Sequence, residues 1–370
     1  MTEWSALRGA KSNPANRSEA NSMTAPMMRV VRSDLWIDPV FNELFREREG
    51  VILDVFARHG PEDAAWPLLQ RAHVYHVSAA KDELPRRWHV TEDLLQRCPN
   101  LLCVSSSGAG YDTIDVPACT RAGIIVVNQA GGNAASVAEQ TFGLMLGVSR
   151  RMLECDRRMR RELGFSREAV MGHEIRGKTL GIVGIGHAGT RVAALAGAFG
   201  MEVIATDPLL DPAEIMRRGA RPVPFEQLLA QSDVVSLHCP RDASTLKMMN
   251  AGAFARMKPG AIFITTARGG IHDEVALEAA LASGHLAGAG LDVWDREPPP
   301  LDHPLLQRDN VYATYHTAGV THEARRNVAA ISAEQILHVL GGGQPPRLLN
   351  PQAWPAFQER FAALAGPLAR

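Results

Sequence analysis

The sequence predicts an α/β protein made of two doubly wound, parallel-sheet domains. Three observations predict it. The chain has 370 residues, about two to three typical domain lengths. From Met28 onward, short apolar runs alternate with helical stretches, which is the pattern of βαβ units and a parallel sheet. The alternation comes in two series with a long helical stretch between them, so two sheets are expected, one small and one large.

The first series reads as strands at Gly50–Phe56, His73–Ser78, Leu101–Ser107 and Ile124–Asn128. Helices lie between them. Val90–Cys98 is one, with Thr91 as its N-cap. The long helical stretch runs from Asn133 to Leu163, apolar early and arginine-rich later. A solvated face or subunit interface accounts for those arginines better than nucleic acid does. The second series reads as strands at Thr179–Gly184, Glu202–Asp207, Asp233–Pro240, Ala261–Ala267, Leu286–Trp294 and Val311–His316. Six strands with helices between them complete a doubly wound sheet. Glu323–Gly343 reads as an amphipathic helix stopped by glycines, and Pro345–Pro351 as an extended tail.

Composition excludes several function classes. Hydrophobic residues make up 46% and charged residues 21%, so the chain is not largely disordered. Net charge is −1, which argues against a general nucleic-acid binder or a polybasic membrane protein. No apolar run reaches a membrane-spanning length, and residues 1–27 read as a disordered tail without a secretory signal. The five cysteines, Cys98, Cys103, Cys119, Cys155 and Cys239, include no CxxC pair. No disulfide framework or metal site is expected, and a reducing, cytoplasmic location is.

The second series opens with a glycine fingerprint at Gly184, Gly186 and Gly189. It follows an apolar strand, opens an Ala-rich helix and returns through a strand to Asp207, as a dinucleotide site requires. Gly184 permits the tight turn, Gly186 lets backbone approach a pyrophosphate, and Gly189 lets the helix pack on the strand. The helix N-terminus near His187 and Ala188 offers free N–H groups and a positive dipole. Asp207 can accept bonds from ribose hydroxyls and repels a 2′-phosphate, and Pro208, Leu209 and Leu210 bring no cation. NAD(H) is therefore expected over NADP(H).

Ligands of open α/β sheets bind at the carboxyl ends of the strands. Those ends carry Asp207, His238-Cys239-Pro240, Thr266-Ala267-Arg268, Asp292 and His316, with Glu297 just beyond Asp292. Reduction of a 2-keto acid needs a cation for the carboxylate and an acid for the developing alkoxide. Arg268 supplies an always-charged fork. His316 titrates near working pH, and Glu297 would orient it and raise its pKa. Asp292 could hold the nicotinamide carboxamide. Each has a plainer reading taken alone: Arg268 bridged to Asp273 or Glu274, His316 structural, Glu297 a loop acid, Asp292 a turn residue. Their joint occurrence at successive strand ends favours function. Cys239 has no acyl-transfer triad around it and reads as cleft wall.

Together these motifs resemble the D-isomer-specific 2-hydroxyacid dehydrogenase family. Ser105–Asp115, the fingerprint, Ser236–Pro240, Thr265–Leu277, Gly288–Pro298 and Tyr315–Gly319 fall in the family's order. The resemblance implies catalytic Arg268, Glu297 and His316, Asp292 near the nicotinamide, and substrate-carboxylate binding by the backbone N–H groups of Ala109 and Gly110. It implies a Rossmann cofactor domain (129–317) inserted in a smaller flavodoxin-like substrate domain (28–128 plus 318–370). It also implies a dimerisation arm at about 133–178, hence a homodimer with a small 2-keto or 2-hydroxy acid as its partner ligand. Two departures stand out. Tyr315 replaces the proline that usually precedes the histidine, so a local backbone change or an added pocket phenol is expected. Ser105, Ser106 and Ser107 stand where phosphoglycerate enzymes tend to carry basic residues, although Lys81 could still reach the pocket. Tyr75, His76 and Ser78 are the candidates for side-chain selection. The alternatives are phosphoglycerate dehydrogenase and an NAD(H)-sensing binding protein on the same fold.

Overall fold

A computed structural model describes residues 27–46 and 48–365; the expected tail before Met27 lies outside them. The first sheet comprises β1 (Met28–Ser33), β2 (Val51–Phe56), β3 (Val74–Val77), β4 (Cys103–Ser106) and β5 (Ile125–Val127). All pairs are parallel, in the order β2-β1-β3-β4-β5. The strand β1 was not anticipated. Its MRVVRS segment alternates poorly because Arg29 and Arg32 interrupt it. The sheet nevertheless satisfies Arg29, whose Nη1 donates to Asp54 at 2.8 Å.

Alternate residues of these strands enter two apolar layers, as the pleat requires. Val31, Tyr75, Val77, Val104 and Val126 pack with Leu69, Trp88 and Leu94. Val30, Val74, Cys103, Ile125 and Val127 pack with Phe41, Ala333, Ile336 and Phe357 on the other face. The second layer therefore depends on helices that come after the whole second sheet in sequence. One is His322–Leu340, capped by Thr321 and ended at Gly341. The other, Trp354–Ala365, was not read from sequence; the tail continues into it after a turn at Pro351. Asn350 fixes that return, accepting from Val126 N at 2.7 Å and donating to Ile124 O at 2.9 Å.

The second sheet comprises β6 (Thr179–Val183), β7 (Glu202–Thr206), β8 (Arg221–Pro222), β9 (Val234–Leu237), β10 (Ala261–Thr265), β11 (Leu286–Leu291) and β12 (Val311–Ala313). Its order is β12-β11-β10-β9-β6-β7-β8, again all parallel. It has seven strands where the sequence suggested six. The extra one, β8, is two residues long and ends in proline, which fits only an edge. The expected single helix 133–163 is two, Ala134–Ser149 and Met152–Met159. Arg151 breaks it by taking a left-handed conformation (φ 52°) while its guanidinium grips Glu154. Among the described residues, no helix is long and apolar enough to cross a membrane.

Candidate active site

The carboxyl ends of both sheets face one cleft of about 730 Å³. Ala109, Gly110, His187, Ala188, His238, Cys239, Pro240, Thr266, Ala267, Arg268, Asp292 and His316 all line it. Gly184, Gly186, Gly189 and Asp207 build the turn that carries His187 and Ala188 into it.

The glycine turn has the geometry its sequence implies. Gly184 has φ +86°, and a Cβ there would stand 2.7 Å from Cys239 N. A side chain on Gly189 would collide with the carbonyl oxygen of Gly184. Gly186 caps the helix His187–Ala198, and a Cβ there would meet open space. Asp207 supports the turn with both oxygens: Oδ2 accepts from Ile185 N and Oδ1 from Leu209 N, each at 3.0 Å. Its remaining lone pairs can still accept ribose hydroxyls. A cation that the local sequence did not show also arrives here: Arg218 donates to Ile185 O at 2.8 Å and is held by Glu214. His238 Nε2 bonds Ser236 at 2.9 Å, while its buried Nδ1 has no partner among the described residues. Burial pushes its pKa down to about 4, so the ring is neutral. A bare helix N-terminus, a turn with no room for a side chain at Gly184 or Gly189 and an unpartnered polar ring atom at the cleft fit a dinucleotide.

Opposite lies the His316–Glu297 pair. His316 Nδ1 and Glu297 Oε2 are 2.8 Å apart. A carboxylate only accepts, so Nδ1 carries a proton and Nε2 is left to exchange one. Burial by itself would lower the His316 pKa, but the bond to Glu297 and its charge outweigh burial and raise it. Burial likewise opposes ionisation of Glu297, and the bond to His316 overcomes it and holds the carboxyl below its ordinary value. Glu297 Oε1 accepts from Trp294 N at 3.1 Å, which fixes the carboxylate.

His316 sits in a left-handed backbone conformation (φ 46°), uncommon for a residue with a side chain. Asp292 holds it there. The carboxylate is fully buried and accepts from Thr314 Oγ1 at 2.6 Å, Thr317 N at 2.8 Å and Ala318 N at 3.0 Å. His316 N donates to the Asp292 carbonyl at 2.6 Å. Sequence reading assigned Asp292 to the cofactor; the structure adds a clamp on the loop that aims the histidine. Spacing alone carried no signal of that clamp. Tyr315, in place of the usual proline, is an added phenol at the cleft whose Oη donates to Asp82 at 3.1 Å.

The loop after β4 supplies the other wall. Asn128 Nδ2 donates to Ala109 O at 2.7 Å and Ser106 Oγ to Gly110 O at 2.5 Å. The amides of these two residues have no partner among the described residues. Gly110 leaves room for the Arg268 guanidinium, which a Cβ at 110 would overlap and displace. Arg268 bonds neither Asp273 nor Glu274: Asp273 caps the helix Glu274–Ala282, and Glu274 bonds His303.

One selection candidate is corrected. Tyr75 is 1% exposed, packs beneath the sheet and donates to Trp88 O at 3.0 Å, so it never reaches the cleft. The pleat sends it to the face opposite His76 and Ser78. Ser78 borders a small recess that joins the cleft at Ser107 and Arg325, and its hydroxyl donates to Glu83 at 2.6 Å. Cys239 matches the wall reading, since burial pushes its thiol pKa up to about 11.

Residues 142–318 match the model of the "D-isomer specific 2-hydroxyacid dehydrogenase, NAD binding domain". The glyoxylate reductase of Korarchaeum cryptofilum is 38% identical over 264 residues, covering 70% of this chain and 80% of that protein. The chain belongs to the D-isomer specific 2-hydroxyacid dehydrogenase family. It carries the family's NAD-binding domain. The D-3-phosphoglycerate dehydrogenase of Archaeoglobus fulgidus is 42% identical over 68% of this chain. The chain spans about half the length of such phosphoglycerate relatives, 48% of that one. Among solved structures, a glyoxylate reductase from Paecilomyes thermophila superposes with TM-score 0.78 at 28% identity, covering 88% of this chain and 99% of that one. The TT0316 protein of Thermus thermophilus gives 0.75 at 32%, covering 87% and 100%.

Proposed function

We propose that this protein interconverts a D-2-hydroxy acid and its 2-keto acid as an NAD(H)-dependent oxidoreductase. The observation that carries the reading is the His316–Glu297 pair at 2.8 Å, lining one cleft with Arg268 and the fingerprint helix. Bound NADH supplies hydride to the keto carbon; Gly184, Gly186, His187, Ala188, Gly189, Asp207, His238, Thr266 and Asp292 are the residues that would hold it. Arg268 and the amides of Ala109 and Gly110 bind the substrate carboxylate. Arg268 also draws charge from the keto group. His316 donates its Nε2 proton to the developing alkoxide, and Glu297 stabilises the imidazolium beforehand. In the oxidative direction neutral His316 takes the hydroxyl proton. Substrate would sit between the two sheets, and closure over it should exclude water during transfer.

His316→Ala or Gln should lower turnover by about a hundredfold or more with NADH affinity nearly kept. Near-normal turnover would remove the role. The substrate screen uses glyoxylate, hydroxypyruvate, phenylpyruvate and branched keto acids with NADH. 3-Phosphoglycerate with NAD belongs in it too, because relatives of that name align over two thirds of the chain. The proposed division is a cofactor domain at 129–317 inserted in a substrate domain at 28–128 plus 318–370. The arm at about 133–178 exposes Met152, Met159, Leu163 and Met171, which supports a homodimer, to be checked by sizing with light scattering. Five free thiols fit a cytoplasmic setting.

A further inference from the structure

Arg268 reaches the cleft already tethered. Its Nε donates to Asp112 Oδ2 at 3.0 Å, and its Nη1 donates to Ala267 O at 2.7 Å. The second oxygen of Asp112, Oδ1, accepts from Arg241 Nη2 at 2.9 Å. Arg241 is itself oriented by a bond from Nη1 to Gly269 O at 3.2 Å. Asp112 belongs to the loop after β4 in the small sheet. Arg241 and Arg268 follow β9 and β10 in the large one. A single carboxylate thus joins two arginines across the cleft.

Two consequences follow for the fork of Arg268. With Nε and Nη1 engaged, Nη2 is the end without a partner among the described residues. It lies against Gly110, where a Cβ would overlap it. The same short loop therefore supplies the acid that holds one end of the guanidinium and the glycine that admits the other. The charge count also matters. Two cations and one anion leave one unit of positive charge unmatched in the trio, the complement of one substrate carboxylate. The Asp112, Arg268 and Arg241 side chains are only 20%, 25% and 32% exposed, so solvent weakens these bonds less than at an open surface.

We propose that Asp112 is a positioning residue for the substrate carboxylate: it sets the fork of Arg268 from the opposite sheet, so that the carboxylate site is built jointly by both. This rests on the dehydrogenase reading above. Two physical pictures of Asp112 differ in sign. An anion that is merely nearby repels the substrate, so neutralising it tightens binding. An anion that aims the fork improves binding, so neutralising it weakens binding despite the extra positive charge.

Asp112→Asn keeps the shape and one acceptor and removes the charge. The expected result is a fall of about tenfold in kcat/KM for the keto acid, carried mostly by KM, with NADH affinity unchanged. Asp112→Glu, which restores charge but moves the oxygens, should recover part of the loss. Calorimetric titration of oxalate into the NADH-loaded protein should show the same weakening without any turnover. Unchanged or tighter binding of both acids by Asp112→Asn overturns the proposal. If Asp112→Asn does not fold, Asp112→Glu decides: a raised KM with normal NADH affinity supports positioning, and a wild-type KM overturns it. If wild-type protein reduces no keto acid, the dehydrogenase reading fails; the oxalate titration then judges Asp112 separately.

Discussion

Single side chains set the chemistry of the cleft, and their environment sets their charge. His316 is held above its ordinary pKa, so it stays protonated to higher pH than a free imidazole. Reduction needs the protonated ring, so its rate should be flat at low pH and fall as pH rises through that raised pKa. Oxidation needs the neutral ring and should rise over the same window. Glu297→Gln removes the charge that raises the pKa. The reduction limb should then move to lower pH in a kcat/KM profile, and an unmoved limb would refute the coupling. The pair also links to stability with a definite sign. The His316 contribution is present below the unfolded pKa and lost as pH rises through the folded one. The Glu297 carboxyl is held low, so its contribution is present above its unfolded pKa and lost as pH falls through the folded value. Asp207 gives a separate test. Asp207→Ser should raise KM for NADH about tenfold and improve use of NADPH, because Arg218 stands beside the same turn. Steady-state kinetics with both cofactors measures the ratio.

Elements bring these side chains together, and some of them were easier to read than others. The fingerprint strand, turn and helix were legible because Gly184 and Gly189 answer local steric demands and Gly186 keeps the helix start open. Arg268, His316 and Glu297, the proposed substrate cation and acid–base pair, were legible because strand ends are easy to locate. The strand β1 was not, since its two arginines hide the alternation and only its neighbours on both sides identify it as central. The helix break at Arg151 was equally invisible, because a left-handed residue other than glycine leaves no compositional mark. The helix Trp354–Ala365 was missed behind two prolines, yet Phe357 is fully buried in the layer over the small sheet. Phe357→Ala should cost about 3–5 kcal/mol in denaturant unfolding. A loss below about 1 kcal/mol would mean that the helix is dispensable.

At the scale of the molecule, the cleft exists because two sheets point their carboxyl ends at each other. Hydrogen bonds across it join Asp112 with Arg241 and Arg268, and Tyr315 with Asp82. Tyr315 and Asp82 lie at the exposed rim. Tyr315→Phe should raise KM for the keto acid about two- to fivefold with little change in thermal stability, since one polar bond contributes about 0.5–1.5 kcal/mol. A larger effect on bulky keto acids than on glyoxylate would mean that the phenol also shapes the pocket. A profile identical to wild type for every acid would show that it does neither.

By itself the sequence determined the two-sheet class and the nicotinamide dinucleotide, and it pointed to the arginine, histidine and glutamate of the proposed site, because local sterics and strand-end chemistry are written in short segments. Tertiary structure alone decided three things. It buried Tyr75 beneath the sheet, since the side a residue faces depends on the strands beside it. It turned Asp292 toward the loop of His316, since a buried carboxylate takes whatever donors the fold brings. It set Asp112 against two arginines from residues 129 and 156 positions later in the chain. That meeting depends on how two separately formed sheets pack, which no local pattern encodes.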